Sequence, residues 1–216
     1  MAQPNYLRDV FGHWQTILLF GLLGLVLALI ISFIQPLKYS STSRLLILQD
    51  VGSGVDAYTA SRSEERIADN LSTLIYTSTF FDQVVDAGFS IDQSIFPEDP
   101  SRQRKVWGRT VKATVARGSG LLSVTAYHTD INQAEQLVRA ISFVLTQRVG
   151  EYTSGANVSV RLVDEPLNSR WPVKPDIIVN MSSGFVLGGF VGIAFTILQT
   201  ERIRRRHQFV HEDFNE

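Results

Sequence analysis

The sequence predicts an α+β protein in which two membrane-spanning helices, one near each end, enclose a single exported domain. Three observations predict it. Residues 16–34 and 177–198 are long runs without a charged side chain. Between residues 36 and 175, apolar positions alternate in some stretches and recur at helical spacing in others. That 140-residue segment also carries 15 basic and 15 acidic side chains, a neutral domain large enough to bury its own core. The mean hydropathy of +0.06 hides this segregation.

The first run, TILLFGLLGLVLALIISFI, has 19 residues. At ~1.5 Å per residue it covers about 28 Å, close to the bilayer's hydrocarbon core. A cleaved signal peptide would carry a shorter apolar region ending at a small-x-small site. The residues that follow, Gln35-Pro36-Leu37-Lys38-Tyr39, offer no such site, so the run reads as an uncleaved anchor. The second run, IIVNMSSGFVLGGFVGIAFTIL, is interrupted by Asn180, Ser182 and Ser183 but by no charge. Arg202, Arg204, Arg205 and Arg206 follow it, a basic cluster that stays cytoplasmic under the positive-inside rule. Two spans then place the N-terminus, with Arg8, inside as well. Lys38 and Lys174 lie on the other side, where a long domain translocates largely regardless of charge. The expected layout is a cytoplasmic N-terminus over 1–14, a transmembrane helix over 15–35, an exported domain over 36–175, a second transmembrane helix over 176–199, and a cytoplasmic Arg-rich tail over 200–216.

Gly184, Gly188 and Gly192 recur every fourth residue beside Gly189 and predict a stripe where another helix packs closely. Gly21 and Gly24 of the first span, or another copy of the chain, supply the partner.

Within the domain, Tyr39 to Gln49 reads as a strand. After Gly52-Ser53-Gly54, Asp56 caps a helix carrying Ile67, Leu71, Leu74 and Ile75. A short helix over about Thr79–Ala87 stops at Gly88. Residues 90–101 read as a loop with Pro97 and Pro100. Val111, Ala113 and Val115 alternate into a strand that turns at Arg117-Gly-Ser-Gly120 into a second one with Leu122, Val124 and Ala126 on one face. Asp130 caps a helix bearing Leu137, Ile141, Val144 and Leu145, with Gln133 at the capping-box position, ending around Tyr152–Gly155. Val158, Val160 and Leu162 form the last strand. This is the split βαβ, ferredoxin-like (βαββαβ-type) order: a four-stranded sheet with helices on one face. Pro166, Pro172 and Pro175 then stiffen a strap into the second span.

Chemistry-bearing patterns are scarce. With no cysteine, thiol catalysis, disulfides and thiolate metal sites are excluded, and the near-neutral charge argues against a nucleic-acid binder. Nucleotide-binding, zinc-protease and serine-hydrolase motifs are absent. Glu64-Glu65 and Glu98-Asp99 are adjacent pairs whose side chains diverge, so they read as surface. His207 and His211, with Glu212 and Asp213, have metal-like spacing but lie in a terminal tail, and no metal or cofactor is expected. His128 sits at a strand end and His13 at the membrane boundary. Trp14 and Trp171 read as interfacial anchors and Trp107 as a core or subunit-contact residue. The chain is therefore expected not to be an enzyme.

Taken in order, QPLKYSSTSRLLI, LLSVTAYHTDINQAEQLVRAISFVL and PLNSRWPVKPDIIVNMSSGFVLGGFVG resemble the Wzz-type chain-length determinants, the polysaccharide co-polymerases of bacterial envelopes, over about residues 10–200. The resemblance implies a homo-oligomer on the outer face of the bacterial cytoplasmic membrane. It implies work with a polysaccharide polymerase or a lipid-linked polysaccharide, setting the length or export of O-antigen, capsule or exopolysaccharide. Carried onto this chain, the proline strap is Pro166, Pro172 and Pro175 and the second-span glycines are Gly184, Gly188 and Gly192; the family offers no catalytic residues. The domain is short beside the O-antigen regulators and points to the smaller capsule or exopolysaccharide members, which often partner with a cytoplasmic tyrosine kinase. The chain ends at Glu216 with no tyrosine in the tail, so any kinase is expected to be a separate protein. Two other readings compete: a membrane adaptor that activates such a kinase through Arg202–Arg206, and a two-span sensor whose exported domain binds a small ligand.

Overall fold

In the computed structural model the chain divides into two compact units, Met1–Pro36 with Lys174–Glu216, and Leu37–Val173. The structure describes residues 12–50, 56–153 and 157–212, with side chains through Arg202. Arg8, Gly52–Gly54, Gly155 and the side chains of Arg204, Arg205, Arg206, His207 and His211 lie outside the described residues.

The first unit holds two helices long and apolar enough to cross a bilayer, α1 (Trp14–Ile34) and α6 (Ile177–Glu212). Neither is a soluble core helix. Leu19, Phe33, Ile34, Ile178 and Leu187 are each at least 65% exposed, so the apolar side chains face outward along their length. The α6 helix continues as backbone well beyond Leu198, carrying the basic cluster on the same rod.

The second unit is an α+β domain. Its strands β1 (Tyr39–Gln49), β2 (Val111–Val115), β3 (Leu121–His128) and β4 (Val158–Asn168) form one sheet in the order β2-β3-β1-β4, every neighbour antiparallel. The pairing places Leu45 opposite Leu122 and Ser43 opposite Val124, so alternate residues share one face. Leu45, Ile47, Leu122, Val124 and Ala126 are fully buried there. Against that face pack α2 (Ala57–Leu74) and α5 (Ile131–Tyr152), while α3 (Ser78–Val85) packs onto α5. Leu137, Ile141, Val144 and Leu145 of α5 are buried in this core, and a polar pair crosses the same contact. Ser142 donates to Ser43 Oγ at 3.2 Å, and Ser43 donates to the Asp164 carbonyl at 3.1 Å, tying helix, inner strand and edge strand.

Local signals end most elements where the sequence places them. Asp56 accepts from Thr59 N at 3.1 Å, Thr77 from Phe80 N at 3.3 Å, and Asp130 from Asn132 N at 2.9 Å, each capping its helix. Gly88 and Gly118 hold φ of 83° and 70°, which a side chain would strain.

Four expectations are corrected. Residues 100–110 are a helix, α4 (Pro100–Thr110), which takes the last two residues of the expected 90–101 loop and fills a stretch before β2 for which the sequence suggests no element. Asp99 caps it by accepting from Arg102 N at 2.8 Å, and Pro100 fills the first turn, where its missing N–H costs nothing. Gln133 does not close a capping box; its side chain reaches out to the Ser90 carbonyl and the Asp92 amide, pinning the preceding loop. Pro166 belongs to β4 rather than to the strap. That strand is at the sheet edge and its register shifts twice opposite Thr42–Leu45, where an absent N–H leaves no ladder bond broken. Leu162 is 45% exposed, not buried with Val160.

The two ends of the domain are stitched together. Val173 donates to the Lys38 carbonyl and Ser169 to the Ser40 carbonyl, both at 2.8 Å. Just before that point, Glu135 on α5 accepts from Asn168 at 2.6 Å and from Arg139 at 2.8 Å.

Trp107 is the largest fully buried side chain. Phe81 and Phe96 meet it edge-on with centroids 5.1 and 5.9 Å away, and its indole N–H donates to the Ile75 carbonyl at 2.7 Å. Trp107→Ala should lower domain stability by about 3–5 kcal/mol in denaturant unfolding. Trp107→Phe should cost less, chiefly the ~1–3 kcal/mol of a buried carbonyl left without its donor.

The hydrogen bond from Asn168, then that from Arg139, holds the Glu135 carboxyl below the usual glutamate range. A depressed carboxylate stabilises the fold above its unfolded value, about 4.3, and that contribution fades as pH falls toward the folded value. Glu135→Gln should therefore flatten the loss of stability between about pH 5 and 3 in acid titrations followed by circular dichroism.

Candidate functional site

The features that single out this chain lie in the α1–α6 pair. The helices run antiparallel. Ser32 meets Asn180, Ala28 meets Gly184, Gly24 lies between Gly184 and Gly188, and Ile17 meets Gly192. The small residues on α1 recur at Gly21, Gly24, Ala28 and Ser32, in step with those on α6.

A methyl group at each glycine measures how close the backbones come. At Gly24 it would overlap the Gly184 carbonyl oxygen, and at Gly188 the Phe20 carbonyl oxygen. At Gly184 it would stand 2.5 Å from Ala28 Cβ, and at Gly192 2.9 Å from Ile17 Cα. At Gly189 it would meet nothing within 4 Å. Gly184, Gly188 and Gly192 thus let the two backbones touch, the packing that joins helices where no hydrophobic force exists between them. Of the two partners left open by the sequence, α1 of the same chain occupies the stripe.

Polar groups in the pair are satisfied locally. Asn180 donates to Ser32 Oγ at 2.9 Å, and Ser32 donates back to the Ala28 carbonyl at 2.9 Å. Thr196, buried, donates to the Gly192 carbonyl at 2.9 Å. Phe20 and Phe195 close the other end with centroids 5.2 Å apart. A groove of about 530 Å³ lies beside the contact, lined by Leu23, Leu27, Ile31, Leu187 and Val191 together with Gln35 and Asn180. The Ser32–Asn180 bridge is the part of this site that a search for glycines alone misses. Its signal is present: two polar residues in apolar runs at positions that face each other in the antiparallel register.

The other candidate residues disperse. Pro172 lies in the strap, and Pro175 follows Lys174 through a cis peptide bond. Trp14 and Trp171 are exposed, at 58% and 79%. Arg202 is exposed on α6. The acidic pairs split between separate structural tasks: Glu64 accepts from Gln49 N at 3.3 Å, while Glu65 takes Arg62 at 3.2 Å. The Gly118 amide, and then Arg62, hold the Glu65 carboxyl below its usual range. His128 is buried, and its Nδ1 accepts from Asp130 N at 3.0 Å, which makes it a local brace for the α5 cap.

In comparison with known proteins, the chain matches no protein-family model and no curated protein sequence.

Gly188→Leu should part the helix pair, while Gly189→Leu, one residue on, should leave it intact. Heat-induced aggregation of the full chain in neutral-detergent micelles reads the difference: an earlier onset for the first variant and an unchanged one for the second.

Proposed function

We propose that the chain is a two-span membrane protein with both termini cytoplasmic, and that its α/β unit is an exported domain of ferredoxin-like topology. We further propose that it acts without catalysis as a polysaccharide co-polymerase, regulating the length or export of a cell-surface polysaccharide as a homo-oligomer. The observation that carries this reading is the pairing of α1 with α6. Two outward-facing apolar helices, locked antiparallel through glycine, form a hairpin whose connected ends leave from one side. The insert between them is a neutral domain with its own core and with its entry and exit strands hydrogen-bonded together. The strand order β2-β3-β1-β4, with helices packed on one face, supports the split βαβ arrangement. The resemblance of the segments flanking the spans to the chain-length determinants supplies the pathway.

The arrangement works as a scaffold. A protein that holds a folded domain at the membrane surface can influence a polymer by position and number rather than by covalent chemistry. The Arg cluster from Arg202 onward anchors the inner end, where anionic headgroups favour it.

Deletion of the gene should change the length distribution of envelope polysaccharide on a gel, or abolish its export. An unaltered polysaccharide profile would contradict the reading.

A further inference from the structure

The domain's neutrality conceals a strong segregation of charge. From Pro100 to Thr129 there is no acidic residue, yet Arg102, Arg104, Lys105, Arg109, Lys112 and Arg117 all fall there. Arg117 lies beside Glu65, whose carboxylate feels its charge. Lys112 is on the edge strand β2, where a cation discourages pairing with another sheet. That leaves four cations on α4 without such an explanation.

Arg102, Lys105 and Arg109 are spaced three and four residues apart, so they form one stripe about 10.5 Å long on the helix. All three are exposed, and Arg104 is exposed on the flank. Ion pairs among the described residues join Arg44 to Asp164, Arg62 to Glu65 and Arg139 to Glu135; none includes an α4 side chain. Like charges at this spacing repel, and Arg102 also sits in the first turn, at the positive end of the helix dipole. The fold nevertheless holds the helix rigidly. Trp107 is locked into the aromatic cluster and bonded to Ile75, Thr110 is buried, and Asp99 caps the start. Arg109, in the last turn, has the favourable end of that dipole, but among the described residues no ion pair relieves the crowding of Arg102, Arg104 and Lys105. Held on a rigid mount, that crowding marks a surface shaped for an outside anion.

We infer that the Arg102–Lys105–Arg109 stripe of α4 is a dock for an anionic polysaccharide, one bearing carboxylates or phosphates along its chain. The assignment to a glycan rests on the proposed function; the demand for a polyanion rests on the charge alone. A membrane surface fits less well. The exposed residues of α4 are Pro100, Ser101, Arg102, Arg104, Lys105, Gly108 and Arg109, with none of the large apolar side chains that carry an interfacial helix into lipid.

The test uses the full-length chain in neutral-detergent micelles passed over immobilised polygalacturonate, with dextran as the uncharged control. The parent protein should be retained on polygalacturonate at about 50 mM salt, be released by about 200 mM, and ignore dextran. Arg102→Gln/Lys105→Gln/Arg109→Gln should bind about tenfold more weakly or worse. Arg148→Gln/Arg161→Gln/Arg170→Gln, which removes the same charge from elsewhere on the domain, should bind like the parent. Near-ultraviolet circular dichroism should show both variants folded. Equal retention of the two triple variants, or no retention of the parent, overturns the dock. So does a stripe variant that keeps polygalacturonate but loses phosphatidylglycerol nanodiscs, since that assigns the stripe to lipid. Binding lost together with altered polysaccharide length in cells carrying the stripe variant supports dock and function alike. Intact polyanion binding alongside an unaltered profile after gene deletion would retain the dock and remove the co-polymerase reading.

Discussion

Backbone contact between α1 and α6 is the constraint on which the rest of the molecule depends. Neither helix has a sharp apolar face; α1 and the Ile177–Leu198 part of α6 are apolar nearly all round, so hydrophobicity cannot tell one side from another. Selection of a face falls to shape and to scarce polar groups. Gly24 against Gly184 and Gly188 brings the chains to van der Waals distance, and the Ser32–Asn180 hydrogen bond fixes the register along the axis. Antiparallel pairing brings the end of α1, at Ile34, near the start of α6, at Ile177, so the 137 residues between them, Leu37–Val173, must bring their own two ends together.

The domain meets that condition by its own topology. In the order β2-β3-β1-β4, the first and last strands are neighbours, so chain entry and exit lie side by side. Hydrogen bonds from Ser169 and Val173 to Ser40 and Lys38 extend that adjacency past the sheet into the strap. The edge position of β4 tolerates Pro166, two register shifts and a run of exposed residues that an inner strand would not. The price of openness at that edge is offset by Glu135, which clamps Asn168 to α5.

Much of this was legible in the chain because the relevant forces are local. Strand β1 spans the expected segment from Tyr39 to Gln49, α5 begins one residue after Asp130, and Gly88 and Gly118 occupy left-handed turns where glycine is the natural choice. What escaped is equally instructive. The α4 helix has one buried large apolar residue, Trp107, among four cations, so no apolar stripe announces it; only Asp99-Pro100 does. Its helicity is imposed by tertiary packing around Trp107. Gln133 stands where a capping box would place it, but the nearby Ser90–Asp92 loop competes for its amide and wins. At the helix pair, the glycine stripe was readable from spacing. Its occupant was not, since a second copy and α1 offer the same smooth surface until Ser32 and Asn180 are brought opposite each other.

The most direct test of the central claim uses the absence of cysteine from all 216 residues. Ser32→Cys and Asn180→Cys, introduced together, would place two thiols where the side chains now stand 2.9 Å apart. Treated in native membranes with a short bifunctional thiol reagent, the double variant should become linked within one chain, migrating as a monomer of altered mobility. Links found only between two chains, or none at all, would contradict the hairpin and the layout built upon it.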